Sequence, residues 1–139
     1  MSKVITVALI GAGNRGESYT DIMAKFPEKY KVVAVAEPIE SRRNYIKETH
    51  NLSENMCFQD WDSLFACGKI ADLVIISTQD RQHFEPTMKA ISLKYDILLE
   101  KPVSPLPEEC HKIALYAKEM QVRVVARSAA PDRTSDKLL

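Results

Sequence analysis

The stretch VITVALIGAGNRGE, Val4 to Glu17, decides the fold. Its first seven residues are apolar apart from Thr6 and partly β-branched, and they run into a glycine, which reads as a buried strand. From Glu17 the period changes: Tyr19, Ile22, Met23 and Phe26 fall at i, i+3, i+4 and i+7, one face of a helix that Pro27 ends. Between strand and helix, Gly11, Gly13 and Gly16 spell G-x-G-x-x-G. Gly11 permits a tight turn, Gly13 lets a pyrophosphate approach the backbone, and Gly16 lets the helix pack close on the sheet. The helix N-terminus adds unpaired N–H groups and a partial positive charge. A lone match to this pattern is weak, but the strand before it and the helix after it supply its context. The chain has four glycines, and three of them fall in this one segment, which argues against chance loop glycines.

The second apolar run, Lys31 to Glu37, is rich in β-branched residues and ends in an acid about 20 residues beyond the glycines, where a carboxylate can accept hydrogen bonds from an adenosine ribose. The plainer reading of Glu37 is a solvated acid before the turn-forming Pro38. A carboxylate there repels a 2′-phosphate and favours NAD over NADP. Arg42 and Arg43 stand close enough in sequence to hold such a phosphate, or are exposed helix charges. NAD is the expected cofactor, with NADP left open.

Further along, helix-like and strand-like segments keep alternating. A helix is expected over Glu40–Thr49 and a short strand over Met56–Phe58. A short helix follows, with Asp62 or Ser63 as its N-cap and Gly68 as its stop. Ala71–Thr78 hardly alternates, so both of its faces should be covered. Met88, Ile91 and Tyr95 form a helical stripe, with Pro86 tolerated near the first turn. Asp96–Leu99 is the fifth strand. Cys110, Ile113, Ala114, Ala117 and Met120 form another helix face, and Val122–Ala126 is the sixth strand. This alternation predicts a three-layer, doubly wound α/β fold, a mainly parallel sheet with helices on both faces. Residues 1–126 make one dinucleotide-binding domain. The tail, 127–139, has no period and is expected to be disordered or loosely attached.

Composition narrows the partners. Apolar residues make up 45% and charged residues 27%, and 19 basic residues balance 19 acidic ones. No global field favours nucleic acid or an anionic membrane. The N-terminal apolar run is short and leads into glycines, unlike a signal peptide. Cys57, Cys67 and Cys110 are widely spaced and the histidines scattered, so neither a metal site nor a disulfide framework is expected. These features suit a cytoplasmic protein with reduced thiols.

In an open α/β sheet, ligands bind outside the carboxyl ends of the strands. Ser77 and Thr78 end the fourth strand on that rim, with His83 shortly beyond, where a histidine is either structural or part of the site. Glu100 and Lys101 end the fifth strand on the same rim. They are an exposed ion pair, worth under about 1 kcal/mol, or a site: Pro102 restricts Lys101 to an extended backbone, and a partly desolvated lysine can shuttle a proton.

VALIGAGNRGE, VVAVAEP, DLVIISTQDRQHFEP and LLEKPVS, in this order, resemble the N-terminal Rossmann domain of the Gfo/Idh/MocA oxidoreductases over roughly Val4–Val125. The Glu-Lys-Pro element makes the resemblance more specific than the glycines do. It implies an NAD(P)-dependent oxidoreductase acting on sugars, inositols or related polyols. By position, Gly11, Gly13, Asn14, Arg15 and Gly16 would contact the pyrophosphate and Glu37 the adenosine ribose. Ser77, Thr78 and His83 would line the nicotinamide side. Lys101 would assist proton transfer, with Glu100 as its neighbour.

Two departures stand out. Gln79 and Asp80 replace the family's usual proline and asparagine. The family's second domain, which forms most of the substrate pocket, has no counterpart in these 139 residues. The chain alone is therefore expected to bind cofactor without substrate turnover, and the uncovered surface makes self-association plausible. A non-catalytic nucleotide sensor is the alternative. A methyltransferase using S-adenosylmethionine shares the glycines and the acid but does not predict Glu-Lys-Pro.

Overall fold

In a computed structural model of the chain, residues 3–78, 83–100, 106–127 and 137–138 are described; at 14, 15, 127, 137 and 138 only the backbone is. The first apolar run forms β1 (Ile5–Ile10), and the glycine segment turns straight into α1 (Asn14–Ala24). Then come β2 (Tyr30–Ala36), α2 (Glu40–His50), a 3-10 turn at Glu54–Met56 and β3 (Cys57–Phe58). The next elements are α3 (Trp61–Phe65), β4 (Leu73–Ile76), α4 (Phe84–Ser92) and β5 (Asp96–Glu100). α5 (Pro107–Met120), β6 (Val124–Arg127) and β7 (Lys137–Leu138) complete the order.

The sheet runs β3-β2-β1-β4-β5-β6-β7. The first six strands are parallel, and β7 pairs antiparallel to β6. The chain moves outward from β1 to β3 and then returns to β4 on the other side of β1. This reversal opens a crevice at the carboxyl ends of β1 and β4.

Alternate residues of each strand feed two cores. Val7, Leu9, Val35 and Ile75 meet Ile46 of α2 and, on α1, Tyr19 and Met23. On the opposite face, Ala8, Ile10, Val74, Ile76 and Leu99 meet Leu64 and Phe65 of α3, Ile91 of α4 and Ile113 of α5. The three layers and doubly wound topology agree with the pattern of buried runs. No helix among the described residues is long and apolar enough to cross a membrane.

Several local expectations are corrected. α1 begins at Asn14, ahead of the apolar stripe, because Gly13 already serves as its N-cap. Of that stripe Tyr19 and Met23 pack inward, while Ile22 and Phe26 are 55% and 42% exposed. Beside them Gly16, where an added Cβ would meet Gly11, Ser77 and Leu9, brings the start of the helix close to the sheet, and Thr20 is fully buried. The N-cap of α3 is Asp60, not Asp62 or Ser63: its carboxylate accepts the Ser63 N–H at 2.8 Å. Tyr95 is fully buried, yet it lies beyond α4, after Lys94 at φ 69°. Its hydroxyl accepts from the Ile70 N–H (2.9 Å) and donates to the Gly68 carbonyl (3.0 Å), and burial raises its pKa. The tail contributes β7 at the sheet edge; residues 128–136 lie outside the described residues.

At the amino ends of the strands, Asp72 ties β4 to β1. Its carboxylate accepts both the backbone N–H and the hydroxyl of Thr6, each at 3.1 Å, and Lys3 stands 3.6 Å away. The Thr6 N–H bond, helped by the Thr6 hydroxyl and Lys3, holds the Asp72 pKa below its ordinary value. A folded-state pKa below the unfolded one adds stability above the unfolded value of about 3.9, and that stability disappears as pH falls through the folded value. Asp72→Asn should lower the melting temperature by about 2–5 °C at pH 7. The difference from the unsubstituted chain should close as pH falls below about 4, which thermal melts followed by circular dichroism at both pH values would read.

Candidate functional site

The crevice is closed at its floor by backbone. The Gly11 N–H donates to the Ala36 carbonyl at 2.9 Å, and the Ser77 N–H to the Ile10 carbonyl at 2.8 Å, so the ends of β2, β1 and β4 are locked side by side. Gly11 turns the chain at φ +87°, which L side chains rarely adopt, and a Cβ there would lie 2.9 Å from the Ser77 carbonyl oxygen. The Ser77 hydroxyl donates to the Gly11 carbonyl at 2.6 Å. A Cβ on Gly16 would lie 2.3 Å from the Gly11 oxygen and 2.5 Å from the Ser77 Oγ. The first turn of α1 thus rests directly on the turn before it. Within the helix, the Thr20 hydroxyl donates to the Gly16 carbonyl at 3.2 Å.

Gly13 is different. Its backbone is extended (φ −74°, ψ −172°), and the atom nearest to an added Cβ is Nη1 of Arg42 at 3.5 Å. As the N-cap of α1 it brings no side chain to the orphan N–H groups of the first turn. An anion approaching along α1 therefore meets backbone donors, with the Arg42 guanidinium at the side. Asn14 and Arg15 open the helix, but their side chains are outside the described residues.

Glu37 is 5% exposed, and its carboxylate is held at both oxygens. Oε1 accepts the Ala12 N–H at 2.7 Å and Oε2 the Ile39 N–H at 2.9 Å. The acid thus braces the glycine turn against the start of α2 as well as standing where a ribose is expected. An ionised carboxylate offers about four lone-pair sites, so accepting capacity remains. Arg43 turns its guanidinium back onto the Glu37 carbonyl (2.7 Å), fastening the same corner.

On the β4 side, His83 is fully buried at the N-cap of α4. Its Nε2 lies 2.6 Å from the Thr78 carbonyl oxygen. A carbonyl only accepts, so this nitrogen carries the proton. His83 also takes the Thr87 hydroxyl at its own carbonyl. The geometry makes it a brace that sets the position of Thr78. Gln79 and Asp80 lie outside the described residues.

At the end of β5, Glu100 is 3% exposed, and the hydroxyl of Tyr19 donates to its Oε2 at 2.6 Å. Lys101, the residue to which the resemblance gave the chemistry, lies outside the described residues, as does Pro102. The structure thus brings together Gly11, Gly13, Gly16, Glu37, Arg42 and Ser77 around one crevice, with Thr78 and His83 behind β4 and Glu100 farther along the rim. Sequence reasoning missed two participants. The Ala12 N–H carried no side-chain signal at all. Tyr19 was read as part of an apolar stripe, although a tyrosine hydroxyl near the core usually finds a polar partner.

The two helix glycines can be told apart. Gly16→Ala should cost about 1–3 kcal/mol, because its new methyl meets backbone that cannot yield. Gly13→Ala should change stability by less than about 0.5 kcal/mol while weakening binding of a pyrophosphate ligand. Urea unfolding beside nucleotide titration of both variants checks this; equal stability losses would contradict it.

Comparison with known proteins meets this geometry. The Gfo/Idh/MocA description, an oxidoreductase family with an NAD-binding Rossmann fold, matches residues 5–128. The chain is 27% identical over 123 residues to 2,7-anhydro-N-acetylneuraminate hydratase of Escherichia coli (strain K12), covering 88% of this chain and 31% of that protein. The WlbA dehydrogenase from Bordetella pertussis, solved with NADH and UDP-GlcNAcA, superposes with a TM-score of 0.80 at 16% identity, covering 89% of this chain and 37% of that one. The apo scyllo-inositol dehydrogenase from Lactobacillus casei gives 0.79 at 18%, with 89% and 36% covered. At such identities the structural likeness shows the fold, and the chain spans about a third of the length of these relatives. The match across nearly the whole chain is what assigns the family: the protein belongs to the Gfo/Idh/MocA oxidoreductases, as their NAD-binding Rossmann domain.

Proposed function

We propose that the chain holds a nicotinamide dinucleotide across the β1–β4 crevice and serves a hydride transfer to or from a sugar, inositol or related polyol. The observation that carries this reading is the glycine cradle. A side chain at Gly11 or Gly16 would strike backbone, and the uncapped start of α1 turns its N–H groups toward the space beside Gly13. Such donors suit a pyrophosphate.

Gly11, Gly13 and Gly16, with the backbone at Asn14 and Arg15, would take the pyrophosphate, and Arg42 would flank it. Glu37 would accept from the adenosine ribose with the lone pairs its two backbone bonds leave. Ser77 and Thr78 would border the nicotinamide side, with His83 fixing Thr78 from behind and Glu100 at the end of β5. Lys101 would move the proton to or from the substrate hydroxyl. The nicotinamide itself supplies the hydride acceptor or donor.

Glu37 also sets cofactor choice in this reading. Its charge, fixed by two backbone bonds, cannot swing away from a 2′-phosphate, so NAD is favoured over NADP. Calorimetric titration should find NAD binding at least about tenfold tighter than NADP, a difference of about 1.4 kcal/mol. Glu37→Gln, which removes the charge and keeps the shape, should shrink that ratio. If the unsubstituted chain binds neither nucleotide, the proposed function is wrong.

The relatives that this chain matches over a third of their length offer the frame for turnover. The wall that selects a polyol is proposed to lie in sequence of the kind that fills their remaining two-thirds. The 139-residue chain, mixed with NAD and inositols or sugars, should therefore produce no NADH absorbance at 340 nm above background. Steady polyol oxidation would contradict the division of labour.

A further inference from the structure

We infer that Tyr19 is a positioning residue for the nicotinamide end of the site, acting through Glu100. This rests on the proposed function and goes beyond it, since nothing in the glycine pattern or in Glu-Lys-Pro involves Tyr19.

Tyr19 lies on α1, the helix whose first turn faces the pyrophosphate, and its ring packs against the core cluster that holds Val7, Leu9 and Ile75. From there the hydroxyl reaches past β4 to the end of β5 and donates to Glu100 Oε2 at 2.6 Å. A short O–H···O⁻ bond of this kind is charge-assisted and about twice as strong as a neutral one. Glu100, 3% exposed, needs such a donor, because burying a carboxylate without partners is costly. Leu98 and Glu100 share the face of β5 that looks toward α1, so the carboxylate projects from the strand toward the helix that donates to it.

The consequence is mechanical. α1 is attached at the ligand rim through Gly16, seated on Gly11 and Ser77, and through Tyr19, tied to Glu100. One fixes the phosphate side and the other the end of β5, where the Glu-Lys-Pro element begins. Tyr19 thereby sets the nicotinamide side in register with the phosphate side. Removing its hydroxyl breaks this tie to Glu100 while leaving the ring, and with it the packing of α1, in place.

The test compares NADH with ADP, which shares the adenosine and phosphates but lacks the nicotinamide half. In Tyr19→Phe, NADH should bind about 5–10-fold more weakly, while ADP affinity should stay within about twofold, because the glycine cradle is untouched. Glu100→Gln should weaken NADH similarly, and combining the two substitutions should add little further. Thermal melts of the same four proteins without nucleotide read the hydrogen bond directly, and the two losses should be less than additive. Equal weakening of NADH and ADP in Tyr19→Phe would reduce Tyr19 to a support of α1 and overturn the inference, as would no change in either. If the unsubstituted chain binds neither nucleotide, the proposed function fails. The melts then judge the remaining claim, and additive losses would remove the Tyr19–Glu100 tie as well.

Discussion

The contact of Gly16 with Gly11 and Ser77 is the constraint on which the rest of the site depends. A helix that follows a strand must leave the sheet, turn and pack back onto it. Here that return is so tight that a single methyl would overlap a carbonyl oxygen and a hydroxyl. The closeness aims the first turn of α1 into the crevice opened by the reversal of strand order between β1 and β4. It also locates Ser77 and Thr78 at the crevice mouth, through the bonds of Ser77 to Ile10 and Gly11. Larger residues would push α1 away, and its N–H donors would no longer converge with the end of β4.

Two buried carboxylates stand on either side of this contact. Glu37 reaches back from β2 to the Ala12 N–H, and Glu100 is met at β5 by the Tyr19 hydroxyl. Each is acceptable only because another element supplies hydrogen-bond donors to it. Both therefore act as ties between segments distant in sequence, and both hold charge at fixed places on the ligand rim. His83 does comparable work with a hydrogen bond to Thr78. The rim is assembled before any ligand arrives, which reduces the ordering that binding requires.

Much of the fold was legible because buried parallel strands need apolar runs. VALI, VVAV and LVII could hardly be anything else, and they emerged as β1, β2 and β4. Helix details were less legible. In α1 the apolar period pointed to Ile22 and Phe26, which are exposed, whereas Gly16 makes the close contact. Periodicity measures apolarity, while close packing here requires smallness. Tyr95 continued the spacing of α4 by accident: the helix had already ended, and the ring turns inward to satisfy Gly68 and Ile70. The N-cap of α3 was placed too late because Asp60, Asp62 and Ser63 are all competent caps, and only the backbone path selects one.

For the site, Gly11, Gly13, Gly16 and Glu37 were readable one by one because each residue type answers a local need: a positive φ, an open approach, a close packing, an acid at a strand end. The sequence by itself determined the layered α/β architecture, the place of the phosphate turn and the sign of the charge beyond β2, since these follow from short-range periodicity and steric freedom. Only the tertiary structure decided that Glu37 braces Ala12, that His83 is a buried prop for Thr78, and that Tyr19 holds Glu100. Each of those is a side-chain hydrogen bond to a partner between 5 and 81 residues away, and its formation depends on which groups the chain path brings within about 3 Å, a distance that no spacing along the sequence records.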